Sequence, residues 1–212
     1  MREVVIVANG QYPTHPIPLG RLQKCDAIVC CDGAAQKVVD SSLSPYAIVG
    51  DLDSLPMELI KENRTKIYHD PSQEYNDLTK AFNFSLSLRP QKITIVGATG
   101  LREDHTLGNI SLLLEYSIES RAKVEMLTDS GIFEVILESG TFPSVEGMQI
   151  SFFSMNSRQR VLSKGLKYPL DGTIFDNLWR ATLNECRGKS YRIELLEATP
   201  LLLFREYLES DI

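Results

Sequence analysis

Four short segments of this chain put carboxylates or glycines where an apolar run ends. The sharpest is Ile48-Val49-Gly50-Asp51-Leu52-Asp53-Ser54, in which two acids stand two residues apart directly after a glycine. Carboxylates this close repel each other unless a cation lies between them, and Mg²⁺ bridging to phosphate oxygens is the usual answer. An Asp-rich turn is the competing reading, because Asp and Ser also favour turns. A further acid lies in Gln73-Glu74-Tyr75-Asn76-Asp77-Leu78-Thr79-Lys80. Asn76 is a good N-cap, which puts Asp77 in the first turn of a helix, where a negative charge suits the dipole. Capping accounts for it fully; a functional reading adds that Asp77 completes a metal site while Lys80, one turn on, reaches a phosphate.

The third segment, Gly97-Ala98-Thr99-Gly100-Leu101-Arg102-Glu103-Asp104-His105, leads from an apolar run through glycines into a helical stretch. Backbone N–H groups at such a helix start attract anions, and Arg102 can grip phosphate oxygens with two parallel bonds. The spacing of Gly97, Gly100 and Gly108 is not that of a dinucleotide fingerprint. Cys31-Asp32-Gly33-Ala34-Ala35 repeats the design with one acid and one glycine. Gly188-Lys189-Ser190 imitates the end of a P-loop, but Leu183 stands where its first glycine belongs, so it reads as a turn. His15 and His69 read as incidental, whereas His105 beside Asp104 is a ligand candidate.

The elements that must position these residues fall into two textures. Up to about residue 120, strand-length apolar runs at 4–8, 27–31, 46–49, 66–68 and 92–96 alternate with helical stretches at 18–24, 34–40, 57–63, 76–88 and 105–119. This predicts an open, largely parallel α/β sheet, in which ligands bind beyond the carboxyl ends of the strands, where all four segments lie. Thereafter short strands at 124–127, 133–137, 149–153, 160–162, 180–183, 191–196 and 201–204 are punctuated by glycines, which suits a β-sandwich. The expected organisation is an α/β nucleotide- and metal-binding domain over 1–122 and an all-β domain over 123–212.

Composition narrows the partners. The formal charge of −6 comes with no contiguous basic stripe, which argues against nucleic acid. The first apolar run is too short for a signal peptide or a membrane span, and the cysteines at 25, 30, 31 and 186 lack zinc spacing. A cytoplasmic protein with reduced thiols is expected.

Taken in order, Asp32-Gly33-Ala34-Ala35, Gly50 through Ser54, Gln73 through Lys80, Arg102 through Thr106, Gly165-Leu166-Lys167-Tyr168-Pro169-Leu170 and Asn184-Glu185 resemble the thiamine pyrophosphokinases along nearly the whole chain. Departures are Asn76 where the family has Thr, Glu103 where Phe is common, Ala34 where a second Gly is frequent and Gln36 where Asn is common. The resemblance implies transfer of a diphosphate from ATP to the hydroxyl of thiamine, by a homodimer with thiamine at its interface. It implies Mg²⁺ on Asp51, Asp53 and Asp77, with Asp104 in the same catalytic cluster. Asp32, Gly33, Gln73, Thr79, Lys80, Arg102 and His105 become the expected nucleotide contacts. Thiamine is a flat cation, so its pocket calls for polar anchors and aromatic surface; Tyr168, Trp179, Asn184 and Glu185 are the candidates, although Tyr and Trp at strand spacing are more often core. Rival readings are a diphosphokinase for another small alcohol such as a pterin, opposed by the segment from Gly165 to Leu170, and a non-catalytic sensor, opposed by the retention of every acid.

Overall fold

The computed structural model describes residues 1–53, 55–62 and 66–211. Ser54 of the acidic segment, the end of the expected third helix at Asn63, and Arg64 and Thr65 lie outside the described residues. The chain divides into two compact units, Met1–Asp129 and Ser130–Ile212.

The first unit is built on six strands, β1 (Glu3–Val7), β2 (Ala27–Cys31), β3 (Ala47–Gly50), β4 (Ile67–His69), β5 (Lys92–Val96) and β6 (Lys123–Leu127). Every pairing among them is parallel, in the order β6-β5-β1-β2-β3-β4. Val4, Val5, Ile6, Val7, Ile93, Ile95 and Val96 are fully buried. Such unbroken apolar runs mark strands covered on both faces, as parallel sheets require. β6 pairs with β5 from Lys92↔Lys123 to Val96↔Leu127. The division between units therefore falls after Asp129 rather than at 122.

Five helices connect the strands: α1 (Pro16–Lys24), α2 (Ala34–Asp40), α3 (Met57–Glu62), α4 (Asp77–Ser87) and α5 (Glu103–Glu119). Asn76 caps α4 as its residue type predicts, its side chain accepting the Thr79 N–H at 2.9 Å. Phe82 of α4 stacks on Tyr116 of α5 with ring centroids 3.9 Å apart. His15, read as incidental, caps α1 through its ring nitrogen. Chain order runs outward from β1 in both directions, so the sheet's topological switch point lies between β1 and β5, the place where open α/β sheets bind ligands.

The second unit contains two antiparallel sheets. One has the order β11-β9-β13-β7 and the other β10-β12-β8, for β7 (Ile132–Ile136), β8 (Gly140–Pro143), β9 (Gln149–Phe153), β10 (Val161–Lys164), β11 (Ala181–Glu185), β12 (Ser190–Leu195) and β13 (Leu201–Arg205). Ile136, Ile150, Phe152, Leu201 and Leu203 of the first sheet share a core with Val161, Tyr191 and Ile193 of the second. β8 was not foreseen, because its Gly140 and Pro143 look like turn punctuation. Arg205 ties its unit together by pairing Glu134 at 2.8 Å and Asp211 at 2.7 Å. On the edge strand β11 the register slips between Ala181 and Asn184, and Leu183 takes a left-handed φ of 54°. Such a bulge turns a side chain outward, and Leu183 is exposed.

Candidate active site

A cavity of about 420 Å³ opens at the carboxyl end of the parallel sheet. Each strand from β1 to β5 delivers a piece of its wall: Ala8 to Gly10, Cys31 and Asp32, Asp51, the segment from Gln73 to Lys80, and the segment from Ala98 to Asn109. Of the expected site residues, Asp32, Asp51, Gln73, Asp77, Lys80, Arg102 and His105 line it. Gly33, Asp53, Thr79 and Asp104 are not in its wall.

Among the described residues, Asp32, Asp51 and Asp53 each bring an oxygen to within 4.8 Å of the others. Asp32 was expected to face the nucleotide and Asp77 to be the third metal acid; the acid whose oxygen lies closest to both Asp51 and Asp53 is Asp32. Two backbone features accompany this grouping. Asp32 adopts a left-handed φ of 40° at the turn from β2 into α2. Gly50 leaves the room: a Cβ there would stand 2.9 Å from the Asp32 Cβ and 3.4 Å from an Asp77 oxygen. Asp77 remains beside the group, with Lys80 3.3 Å from its carboxylate.

The electrostatics of the acids differ. The Asp53 backbone N–H and then the Gln73 amide and the Lys80 charge hold the Asp51 carboxyl below its ordinary value, so it is a carboxylate near neutral pH. Asp104 is held lower still, first by Arg102 and then by the His105 N–H. Arg102 reaches it with bonds of 3.0 and 2.6 Å, and both side chains are exposed. The first turn of α5 thus carries its own acids, Glu103 and Asp104, where sequence suggested an open anion site. Thr79 also departs from expectation. Its hydroxyl lies 2.7 Å from the Tyr116 hydroxyl, turned into the core as a tie between α4 and α5. Gly33 serves as the residue before α2.

Wall residues that sequence reasoning did not single out include Asn9, Gly10, Tyr75 and Asn109. A signal existed for the first two: Asn9-Gly10 follows an apolar strand, as Asp32-Gly33 does. Asn109 supports the third segment by donating to the Ala98 carbonyl at 2.8 Å.

On the second unit, Tyr168 and Trp179 are 59% and 62% exposed, which removes the core reading. The Arg180 guanidinium lies 4.6 Å from the Trp179 ring centre and is held by Asp176 at 2.7 Å. Asn184 is buried, and its amide brackets Tyr168, accepting the N–H at 3.1 Å and donating to the carbonyl at 2.7 Å. It is a support for Tyr168 rather than an open contact. Glu185 pairs with Lys167 at 2.8 Å.

A parallel sheet with an acidic, lysine- and arginine-bearing cavity at its switch point, in a chain that also carries an antiparallel β unit, defines an enzyme of the phosphate-transferring class. Residues 20–126 match the family "Thiamin pyrophosphokinase, catalytic domain" and residues 131–199 match "Thiamin pyrophosphokinase, substrate-binding domain". The chain belongs to the thiamin pyrophosphokinase family. It is 26% identical to the thiamine pyrophosphokinase of Bacillus subtilis over 183 residues, covering 81% of this chain and 83% of the relative. Thiamine pyrophosphokinase 1 of Oryza sativa is 27% identical over 205 residues, covering 80% and 74%. Solved structures share the fold: the B. subtilis enzyme with a TM-score of 0.79 at 22% identity, covering 97% of this chain and 99% of that one. The Candida albicans enzyme gives 0.80 at 18%, covering 98% and 89%.

Proposed function

We propose that this chain transfers the terminal diphosphate of ATP to the hydroxyl of thiamine, giving thiamine diphosphate and AMP. The observation that carries the reading is the convergence of Asp32, Asp51 and Asp53 beside a cavity that also holds Lys80 and Arg102, in the unit that matches the family's catalytic domain.

Three acids with oxygens this close fit a hard divalent cation, which is bound through oxygen ligands. Asp32, Asp51 and Asp53 would hold Mg²⁺, with Asp77 facing the same space. When bound, the ion neutralises phosphate oxygens and makes the β-phosphorus more electrophilic.

The chain's own residues supply position and charge. Lys80, nearly buried on α4, offsets phosphate charge from a fixed place in the wall. Arg102 lies at the mouth, free to exchange its bond with the exposed Asp104 for a phosphate oxygen. Attack at the β-phosphorus requires the hydroxyl and the departing AMP to stand in line across it, so the rate comes chiefly from alignment. Asp104, once Arg102 turns to the phosphate, or a carboxylate facing the cavity accepts the hydroxyl proton.

For the acceptor, the exposed rings of Tyr168 and Trp179 support a face for a flat cationic heterocycle. A homodimer with thiamine held between copies is the assembly that the family resemblance implies, and exposed Ile174, Leu178 and Leu183 are apolar side chains it could cover. Among the described residues no helix is long and apolar enough to cross a membrane, and all four cysteines are free thiols. Both features suit the cytoplasm.

The test is product analysis after incubation with ATP, Mg²⁺ and thiamine. AMP and thiamine diphosphate in equal amounts are expected; ADP or orthophosphate as the nucleotide-derived product would overturn the reading, and turnover with a pterin alcohol in place of thiamine would move it to another acceptor.

A further inference from the structure

Lys37, on α2, lies outside every segment that sequence singled out. Beyond β1 the chain runs alongside the loop that follows β5. Ala8 N–H donates to the Val96 carbonyl at 2.9 Å, Gly10 N–H to the Gly97 carbonyl at 2.7 Å and Gln11 N–H to the Thr99 carbonyl at 2.8 Å. The approach is so close that a Cβ on Gly10 would stand 2.4 Å from the Gly97 oxygen and 2.6 Å from that of Thr99. From the opposite flank the Lys37 ammonium donates to the Gly10 carbonyl at 2.7 Å and to the Asn9 carbonyl at 3.4 Å. The loop is thus held through its N–H groups on one side and its carbonyls on the other. Asn9 and Gly10 are themselves cavity wall.

The charge of Lys37 is unusual in its company. Its side chain is half-buried, and burial lowers its pKa from the ordinary lysine value. Its described hydrogen-bond partners are those two carbonyls, with no carboxylate among them. A partly buried cation normally recovers its lost hydration from an anion. The cavity that Asn9 and Gly10 line also contains Asp32, Asp51 and Asp77, whose negative field a polyphosphate would have to enter.

We infer that Lys37 is a positioning residue for the phosphates of the nucleotide. It acts through the Asn9 and Gly10 carbonyls, which it fixes, and contributes positive charge from behind the wall they form. The inference rests on the nucleotide reading above, and the experiment separates the two. Lys37→Met removes donor and charge, Lys37→Gln keeps a donor without charge, and Lys37→Arg keeps both. Steady-state constants for ATP and thiamine are measured with each variant, with thermal midpoints to show that each is folded. Lys37→Met should raise the KM for ATP about tenfold, the scale of a lost charged hydrogen bond, and leave the KM for thiamine within about twofold. Lys37→Arg should stay within about threefold of the parent protein and Lys37→Gln should fall nearer to Met.

An unchanged KM for ATP in Lys37→Met overturns the inference. So does an Arg variant as impaired as Met, which would mark a packing role, or an equal rise in both KM values. If the parent protein makes no thiamine diphosphate, the reaction reading fails by itself. Calorimetric titration of MgATP into the same variants then tests Lys37 directly, with the same tenfold ratio expected in Kd and equal affinities overturning it.

Discussion

The acidic cavity of the first unit and the aromatic surface of the second are built in opposite ways. In the cavity Asp32 and Asp51 directly follow buried strands, and neighbours fix them: Gly50 makes room for Asp32, and the Asp53 N–H holds Asp51 ionised. On the second unit Tyr168 and Trp179 stand exposed on loops, with Asn184 and Arg180 as their supports. The first is organised before any ligand arrives; the second presents surface that a ligand or another chain would complete. Loss of one residue should therefore abolish chemistry in the cavity and weaken only one substrate's binding on the aromatic surface.

The most damaging test of this contrast is Asp51→Asn. The amide keeps the shape but loses a charge from the three-acid group, and kcat should fall about 10²-fold or more, with Mg²⁺ dependence shifted to higher concentration. Near-parental turnover with the same Mg²⁺ titration would break the assignment of the cavity. Next in size is Arg205→Met, which removes the cation between Glu134 and Asp211 in the second unit. Breaking such a pair costs about 2 kcal/mol here, reduced from the fully buried case by the residual exposure of these groups. Chemical denaturation should register the loss, with the KM for thiamine more sensitive than that for ATP; equal disturbance of both would blur the contrast. Smaller is Trp179→Ala, expected to raise the KM for thiamine about tenfold while leaving the KM for ATP unchanged. A change confined to ATP would move the acceptor site away from this ring.

That contrast also explains what could be read from sequence. Strand ends followed by Gly or Asp are a local signal, so the segments at Asp32, Asp51, Asp77 and Arg102 announced themselves, and the parallel sheet followed from unbroken runs such as Val4 to Val7. Three-dimensional matters did not. The nearness of Asp32 to Asp51 and Asp53 goes with a left-handed turn at Asp32 and the clearance at Gly50; the glycine is visible in sequence, but which acid it lets approach is not. Thr79 was an expected nucleotide contact through the family resemblance, but its partner Tyr116 is 37 residues away. Trp179 was a candidate thiamine contact with core as the competing reading, and only the fold shows its ring outside. Lys37 has Asp40 three residues on in sequence, yet its hydrogen-bond partners lie on a loop 27 and 28 residues earlier.

The smallest effect concerns how the cavity wall is anchored at its far end. Asp129, just past β6, accepts the Thr14 and His15 N–H groups and the Thr14 hydroxyl, tying down the chain that leads from Gly10 to α1. Partial burial alone would raise its carboxyl pKa, but the Thr14 hydroxyl and the two N–H groups outweigh this and hold it below the ordinary 3.8. A carboxyl whose folded pKa is depressed binds its proton more readily in the unfolded chain. It therefore stabilises the fold fully above about pH 4, and that contribution is lost as pH falls through the lowered folded value. Because Asp129 is exposed, the contribution is under about 1 kcal/mol. Asp129→Asn should thus lower the thermal midpoint slightly at pH 7 and converge with the parent protein as the pH falls through the lowered folded value. If the two midpoints ran parallel across that range, the tie would be steric rather than charged, and the wall would owe its position to Lys37 and the Gly97 contact alone.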